Sequence, residues 1–317
     1  MSTIDLTLAE EAYKECENVL TIRTGPFIDR LNKIEDRTSR RAMQITYASL
    51  RIQGPLSLMR PFGRSRTPDQ ALQSIRDWTD GVRLSSQGQP KTPFQHALAD
   101  TIERFNIPMA PWVSLGEGLT ALVNQEPVDD VATFLLRGRQ LALPPANVFF
   151  RILCSKKGTR RYHLAREIEI EELSHDPALF AYCVGSMADI FRELDHTSPP
   201  RSSLPRQLLE RHGLDVDRLL EIRNTNEPTQ NFVNLMHDLT LFGWTLYESG
   251  VSKITQVARH LSPQAIHHLD RFLNHYKVVL QQMEKARFSP SVCDNVARNL
   301  EPRLVALPES AEPGNAG

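Results

Sequence analysis

Two acidic side chains in the segment DIFRELDH have a spacing that suits chemistry on phosphate groups. Asp189 and Glu193 are four positions apart, which places both carboxylates on one face of a helix. Such a pair can hold one Mg²⁺ ion together with a phosphate oxygen, so Asp189 and Glu193 are candidate metal ligands. The same pattern equally fits an ordinary charged face, in which Arg192 and His196 pair with the carboxylates.

Basic side chains in the first part of the chain form a second candidate group. Guanidinium groups present several donors in a fixed fork, and they can bind a phosphate directly in place of a metal ion. A solvated basic loop is the alternative interpretation, and the sequence favours it. The arginines concerned are Arg60, Arg64 and Arg66 in MRPFGRSR, together with Arg40, Arg41 and Arg51.

Three other sets of polar residues have structural interpretations. Asp129 and Asp130 are compatible with metal binding, but a turn or N-cap before a helix starting near Val131 fits better. Cys154 and Cys183 are expected to be small buried hydrophobes. A late group of histidines is expected to face solvent, because no carboxylate or cysteine completes a metal-binding set. These histidines are His260, His267, His268 and His275.

The elements that position these residues are predicted to be helices. Apolar residues recur at positions i, i+3, i+4 and i+7 across residues 231–247 and 263–285, which predicts two long helices with one buried face each. Glycine and proline divide the chain into about a dozen helices, and Asp69, Thr92 and Ser262 are predicted N-caps. The alternating segment EIEIE, residues 167–171, fits either a helix edge or a short exposed strand. The sequence therefore predicts an all-α bundle, whose centre can hold an apolar pocket.

Composition narrows the classes of function. The chain has 317 residues, a formal net charge of −1 and 40% hydrophobic residues, so we expect no binding to nucleic acid. Four cysteines without a CxxC pair favour a reduced, cytoplasmic environment. The first residues lack the pattern of a signal peptide, and no apolar stretch is long enough to span a membrane. We therefore expect a soluble cytoplasmic protein, for which peripheral contact with a membrane stays open.

Several segments, taken in order, resemble the squalene/phytoene synthase family across residues 25–300. GPFIDRLNKIEDRTSRRAMQITYASLR is similar to the opening helices of that family, and IRDWTDGVRLSSQGQPKTPFQHALADTIERFNIP resembles a long internal signature. DIFRELDHTSPPRSSLPRQLLERHGL resembles the second metal-binding helix and the turn after it. HYKVVLQQMEKARFS resembles the closing helix.

The resemblance implies a single-domain bundle of the isoprenoid synthase type, with a central apolar cavity that binds prenyl diphosphates. In the family, two Asp-rich motifs on facing helices hold Mg²⁺ ions that clamp the diphosphate. Here Gly54 and Leu58 occupy the acidic positions of the first motif, and neither side chain can ligate a metal. In the second motif Asp189 and Glu193 keep acidic side chains, whereas Thr197 replaces the last aspartate.

Loss of the first motif predicts that the usual three-metal arrangement is gone. The protein would then bind fewer Mg²⁺ ions than is normal in the family, or none. Basic side chains would make more of the contacts with the diphosphate. The resemblance assigns no catalytic residue. The diphosphate-binding residues that it implies are Arg40, Arg41, Tyr47, Arg51, Arg192 and Arg201.

Two functions remain open at this point. The first is a divergent enzyme of isoprenoid metabolism, a non-standard prenyltransferase or terpene synthase that takes a prenyl diphosphate or a related isoprenoid. The second is a catalytically inactive member that binds a lipid or a protein partner, as an assembly factor with this fold does. Along the chain we expect an N-terminal helix or extension at residues 1–24, the helical domain at 25–300 and a disordered tail at 301–317.

Overall fold

The fold is an assembly of α-helices, seen in a computed structural model that describes residues 4–21, 23–24, 29, 31–51, 67–196, 202–300 and 303–304. The helices are α1 (Leu6–Thr21), α2 (Arg37–Arg51), α3 (Pro68–Ser86), α4 (Pro93–Phe105), α5 (Ala110–Val123), α6 (Val131–Leu141), α7 (Leu143–Cys154), α8 (Ile170–His196), α9 (Arg206–Arg211), α10 (Val216–Thr225), α11 (Gln230–Val257), α12 (Pro263–Lys285) and α13 (Pro290–Leu300). The strands are β1 (Arg23–Thr24), β2 (Lys156–Lys157), β3 (Tyr162–His163) and β4 (Arg303–Leu304), and a 3₁₀ turn (Ala258–His260) follows α11. The predicted all-α class is confirmed.

Capping side chains determine where several helices begin. Thr92, Asp130 and Ser262 each accept a hydrogen bond from the backbone N–H three residues further on, at the starts of α4, α6 and α12. These contacts satisfy backbone donors that have no partner inside the helix, and they confirm the three predicted caps. The prediction for Asp69 is wrong, because Thr67 caps α3 with a capping box and Asp69 lies in the first helical turn.

The two long helices predicted from apolar periodicity are present. Helix α12 has the predicted bounds, and α11 continues ten residues beyond the predicted end at residue 247, to Val257. The EIEIE segment ends in the first turn of α8, which begins at Ile170, so the helix-edge alternative is the correct one. Within the described ranges, no helix has both the length and the apolar character needed to cross a bilayer.

Buried apolar side chains form two main clusters. The C-terminal core is built around α8 and α11 and includes Phe191 and Phe232, each no more than 2% exposed. The N-terminal core joins α2, α3, α4, α5 and α7, with Trp112 among its fully enclosed side chains. Helix α7 contributes to both, because Ile152 lies in the N-terminal core and Phe150 in the C-terminal core.

Helix α1 lies against α2 and α4 as part of the bundle. The buried hydroxyl of Tyr13 donates to the carboxylate of Asp100 on α4, at 3.0 Å. Arg41 on α2 donates to Glu10 and Glu17 on α1, at 2.6 and 3.0 Å. The predicted N-terminal helix at residues 1–24 is therefore fastened to the bundle by buried and half-buried polar contacts.

Two short antiparallel pairings accompany the helices. β1 pairs with β4, so that Arg23 lies opposite Leu304, and β2 pairs with β3 in a hairpin between α7 and α8. Residues 301–317 were predicted to be a disordered tail. Except for Arg303–Leu304 in β4, that tail lies outside the described residues.

The sequence predicted the burial of the cysteines more accurately than the exposure of the histidines. All four cysteines are buried and carry free thiols, which confirms the interpretation of Cys154 and Cys183. His267 is exposed, and His260 and His275 are partly exposed. The expectation for His268 is wrong, because it lies on the inner side of α12 and only 8% of it is exposed.

Candidate functional site

Helix α8 carries a polar stripe on the side opposite its buried apolar face. Tyr182, Ser186, Asp189 and Glu193 follow one another at intervals of four, three and four residues, so they share one face of the helix. Met187 lies on the other side, fully enclosed by the C-terminal core. We call these four polar residues the α8 stripe, and it contains both acidic residues predicted from the sequence.

Glu193 lies at the C-terminal end of the α8 stripe, in contact with the turn before α9. Its carboxylate accepts a hydrogen bond from the backbone N–H of Ser203 at 2.8 Å. Burial, with a smaller contribution from the charge of Asp189, raises the pKa of Glu193 to about 7, and the hydrogen bonds from Ser203 oppose this rise. A carboxyl group with this pKa is divided between its acid and its base forms near neutral pH.

Arg192 connects the acidic residues of α8 with α13. Its guanidinium donates to the Asp189 carboxylate at 3.3 Å, and it lies 3.9 Å from the Asp294 carboxylate on α13. The Arg192 side chain is 15% exposed, so the pair is partly shielded from water. The structure thus brings together three predicted residues, Asp189, Arg192 and Glu193.

Tyr182 begins the stripe at the contact between α8 and α6. Its ring lies 4.9 Å from the ring of Phe134, and a Cβ atom on Gly138 would come within 2.8 Å of it. Only glycine allows α6 to approach this closely. Burial raises the pKa of the Tyr182 hydroxyl, and a hydrogen bond with Ser186 opposes this rise.

Arg137 supplies a buried positive charge on the neighbouring helix α6. Its side chain is only 5% exposed and donates to Glu126 at 3.1 Å. Its positive charge partly opposes the rise in the pKa of Tyr182 that burial causes, so Arg137 lies near the start of the α8 stripe. The stripe therefore has a cation near each end, Arg137 on α6 and Arg192 on α8.

The middle of the stripe has no close neighbour among the described residues. Gly185 is three residues after Tyr182 and four before Asp189, so it lies on the same face. A Cβ atom built on Gly185 would meet no described heavy atom within 4 Å. Among the described residues, Gly185 therefore leaves this side of α8 without a close neighbour, next to Ser186 and Asp189.

Two carboxylates of the stripe, Asp189 and Glu193, are the predicted candidates for holding a Mg²⁺ ion. Mg²⁺ is commonly bound through one or two carboxylates, with substrate phosphates completing its shell, and Asp189 and Glu193 could supply two. In the part of the chain that the structure describes, no group of three or more His, Cys, Asp or Glu side chains is arranged for a metal.

The basic residues predicted on α2 have protein partners in the structure. Arg40 donates to the carbonyl of Ile34 at 2.8 Å. Arg41 makes a two-pronged contact with Glu10, at 2.6 and 2.9 Å, and also binds Glu17. Tyr47 is buried within the N-terminal core. Only Arg192, of the predicted diphosphate-binding residues whose side chains are described, lies beside the acidic pair.

Several predictions concern positions that lie outside the described residues. Arg51 is the last residue of α2, and its side chain belongs to this group. The remaining positions are Gly54, Leu58, Arg60, Arg64, Arg66, Thr197 and Arg201. Their part in the site stays a prediction, and so does the central apolar cavity that the first motif would border.

A polar cleft of about 340 Å³ lies elsewhere, between the chain before α2 and the first turns of α12. Its lining includes Lys33, Glu35, His267 and Arg271. These side chains are charged or polar, so the cleft differs from the apolar cavity expected at the centre of the bundle. It is separate from the α8 stripe.

Sequence reasoning missed five contributors to the site. Tyr182, Ser186 and Gly185 could have been found by extending the spacing of Asp189 and Glu193 backwards along the same helix. Arg137 had no comparable signal, because its position depends on how α6 packs against α8. The same applies to the backbone N–H of Ser203.

Comparison with known proteins gives one family match. The sequence model described as squalene/phytoene synthase matches residues 62–289. No curated protein is close enough in sequence to count as a relative. The matched range contains the whole α8 stripe and begins after residues 54 and 58, where the acidic residues of the first motif were expected.

Two solved structures are similar to this chain in fold. One is the squalene synthase HpnC from Alicyclobacillus acidocaldarius, with a TM-score of 0.71 and 17% identity over 90% of this chain and 98% of that one. The other is a dehydrosqualene synthase in complex with a ligand, with a TM-score of 0.71 and 13% identity over 92% and 96%. Both similarities span nearly the full helical bundle.

Proposed function

Because the chain belongs to the squalene/phytoene synthase family, we propose that it is a divergent prenyltransferase or terpene synthase acting on a prenyl diphosphate or a related isoprenoid. Family membership supports a function of the prenyltransferase type. The finer proposal is that the α8 stripe binds the diphosphate, with one Mg²⁺ ion or none.

The observation that carries this proposal is the composition of the α8 stripe, in which two carboxylates occur together with two nearby arginines. Asp189 and Glu193 keep carboxylates on one face of α8, near Gly185, where an added Cβ would contact no described heavy atom. Buried Arg137 and half-buried Arg192 add positive charge near the ends of the stripe. A diphosphate leaving group carries several negative charges, and positive charge concentrated near it stabilises its departure.

The first motif supports a reduced role for metal. Gly54 and Leu58, at the positions where the resemblance expects acidic ligands, provide no carboxylate. Mg²⁺, when bound by Asp189 and Glu193, would neutralise part of the diphosphate charge. Arg192 would hold the carboxylate of Asp189 in position and add a donor for the phosphate oxygens.

Release of diphosphate is the direct test. We expect the purified protein to release diphosphate from at least one of geranyl, farnesyl and geranylgeranyl diphosphate, measured with and without Mg²⁺. Asp189→Asn should lower kcat/KM by about tenfold or more, since it removes one charged oxygen ligand at the site. The matched control is Asp129→Asn, which changes an exposed carboxylate that pairs with Arg206 at 3.0 Å.

The alternative function is a catalytically inactive member that binds a lipid or a protein partner. The replacement of both first-motif carboxylates by Gly54 and Leu58 favours it, because a binding protein needs no leaving-group chemistry. No release of diphosphate from any of the three substrates, under conditions where the protein stays folded, would contradict the enzyme and support this alternative.

A further inference from the structure

The last helix, α13, packs against the helix that carries the stripe, α8. The first turn of α13 is fixed from outside, since the backbone N–H of Ser291 donates to the side chain of Asn226, which follows α10, at 2.9 Å. A helix that is held by its apolar face and by its first turn presents its polar side chains in defined positions. Three side chains of that apolar face are enclosed in the C-terminal core, each no more than 4% exposed, namely Cys293, Val296 and Ala297.

Asp294 is the acidic residue in the sequence of α13. Its carboxylate lies 3.9 Å from Nε of Arg192 on α8, and it also pairs with Arg298 one turn further along α13. Arg192 in turn donates to the carboxylate of Asp189 at 3.3 Å. Charges of alternating sign therefore connect the α8 stripe with α13, in the order Asp189, Arg192, Asp294 and Arg298.

The middle of this series of charges is partly shielded from water. The side chain of Arg192 is 15% exposed and that of Asp294 is 29% exposed. Asp189 and Arg298, at the two ends of the series, are more open, at 41% and 64%. Because opposite charges that are partly withdrawn from water attract each other more strongly than exposed ones, Asp294 has a definite influence on where the Arg192 guanidinium lies.

The guanidinium of Arg192 has a carboxylate near each of two different nitrogens. Asp189 accepts from Nη1, whereas Asp294 lies near Nε, so the two contacts together restrict the orientation of the planar group. Without the charge of Asp294, the sequence of α13 offers Arg192 no other carboxylate. The guanidinium would then turn further toward Asp189 and would compete with Mg²⁺ for that carboxylate.

We propose that Asp294 is a positioning residue for the diphosphate site, which holds the guanidinium of Arg192 between α8 and α13 in an orientation that can meet a phosphate oxygen. This inference rests on the proposed function, because it assigns a role at the same site. Asp294 would not contact the substrate itself, since a carboxylate repels a phosphate. Its influence on the reaction passes through Arg192.

Steady-state release of diphosphate tests the positioning role. Asp294→Asn keeps the shape of the side chain and removes its charge, so kcat/KM should fall about fivefold as Arg192 loses its fixed orientation. Asp294→Glu keeps the charge and should stay within about twofold of the wild type. A general effect of charge has the opposite sign, because removing a carboxylate near the site favours an anionic substrate. An unchanged or higher kcat/KM in Asp294→Asn would therefore overturn the proposal.

A variant without Arg192 separates an effect through this residue from a direct one. In an Arg192→Gln background, Asp294→Asn should change kcat/KM by less than about twofold. The matched control is Asp270→Asn, which alters an exposed carboxylate on α12 by the same charge and should leave kcat/KM unchanged in both backgrounds. An equal loss from Asp294→Asn with and without Arg192 would show a direct effect and would contradict the positioning role.

Two measurements test the contact without catalysis. In a double-mutant cycle of Arg192→Gln and Asp294→Asn, urea unfolding should show a coupling of at least about threefold in the unfolding equilibrium constant. Additive effects would overturn the proposal even if the protein is an active enzyme.

Binding of inorganic diphosphate with Mg²⁺, measured by isothermal titration calorimetry, is the second measurement. Asp294→Asn should bind it at least about threefold more weakly than the wild type, and equal or tighter binding would contradict the positioning role. If the wild type releases no diphosphate from any prenyl substrate but its binding of inorganic diphosphate depends on Asp294, the proposed function fails and the positioning role stands. If the wild type does not bind inorganic diphosphate at all, both are overturned.

Discussion

The Glu193 carboxyl group is subject to opposing influences. Burial and the neighbouring Asp189 raise its pKa to about 7 from the ordinary value of 4.5. The backbone N–H of Ser203, at 2.8 Å, favours the charged form. The folded protein therefore keeps a proton on Glu193 in a pH range where the unfolded chain has already lost it. Between these two pKa values, the folded state becomes less stable as the pH rises.

Replacing Glu193 by glutamine should remove this pH dependence. Glu193→Gln cannot ionise, so it avoids the penalty that the wild type incurs as the pH rises from about 4.5 to about 7. The stability of the variant relative to the wild type should therefore rise by about 1–3 kcal/mol between pH 5 and pH 8. Thermal unfolding in the presence of a chelator measures this difference without a contribution from bound metal.

An exposed glutamate serves as the control for the pH-dependent stability of Glu193→Gln, because it shows what any Glu→Gln substitution does. Glu227 lies exposed in the turn before α11, and Glu227→Gln should show the same stability difference at every pH. A constant difference between Glu193→Gln and the wild type would mean that the folded state does not hold Glu193 in its protonated form. That result would remove the physical basis for placing the carboxyl group in a shielded site.

How far single site residues could be predicted depends on the range of their contacts. Asp189 and Glu193 follow from a spacing of four residues, which any helix converts into a shared face. Ser203 lies ten residues away across a turn, and Arg137 lies on another helix, so no local pattern indicates either contact. Contacts that depend on tertiary packing could therefore not be predicted from the sequence.

Arg41 shows how an element can depend on one side chain. It was predicted to bind diphosphate, and that prediction is untested. In the structure its guanidinium holds α1 through Glu10 and Glu17, and it lies 5.5 Å from the centre of the Tyr13 ring. The Arg41 side chain is 12% exposed, against 42% and 30% for the two glutamates. Partial burial makes this contact stronger than an ordinary surface pair.

Removing Arg41 should loosen α1. Arg41→Gln should lower the free energy of unfolding by about 1–3 kcal/mol, because it deletes charge-assisted hydrogen bonds and leaves two carboxylates without their cation. In a Glu10→Gln/Glu17→Gln background the same substitution should cost much less, as a double-mutant cycle in urea would measure. Unchanged stability together with weaker binding of a prenyl diphosphate would instead restore the predicted role.

The helices themselves were the most predictable elements. Residues 263–285 have an apolar stripe, a serine cap and a proline in the first turn, and all three signals agree on where α12 begins. The start of α3 was misplaced because Asp69 and Thr67 are both good capping residues, and only the reciprocal contact with Gln70 distinguishes them. A helix start is predicted wrongly where two neighbouring residues are both suitable as the N-cap.

The two cores share α7, which has consequences for the molecule as a whole. Ile152 is fully buried in the N-terminal core, and Phe150 is 2% exposed in the C-terminal core. A helix that belongs to both cores cannot leave one without disturbing the other, because close-packed interiors do not deform gradually. The expected single domain should therefore unfold as one unit, although its apolar side chains fall into separate clusters.

Tryptophan fluorescence can follow each core separately. Trp78 and Trp112 belong to the N-terminal core, whereas Trp244 packs against the C-terminal core. Trp244→Phe leaves reporters in the N-terminal core alone, and Trp78→Phe/Trp112→Phe leaves one in the C-terminal core. In each variant, unfolding in urea should have the same midpoint by fluorescence and by far-UV circular dichroism.

A cavity in α7 makes the test of coupling sharper. Ile152→Ala deletes buried methyl groups and should cost about 2–5 kcal/mol. If α7 couples the two cores, this loss should lower the midpoint reported by Trp244 as much as the midpoint reported by Trp78 and Trp112. A shift seen only in the N-terminal reporters would mean that the cores unfold independently. The chain would then contain two domains, and a ligand at the α8 stripe would stabilise only the C-terminal one.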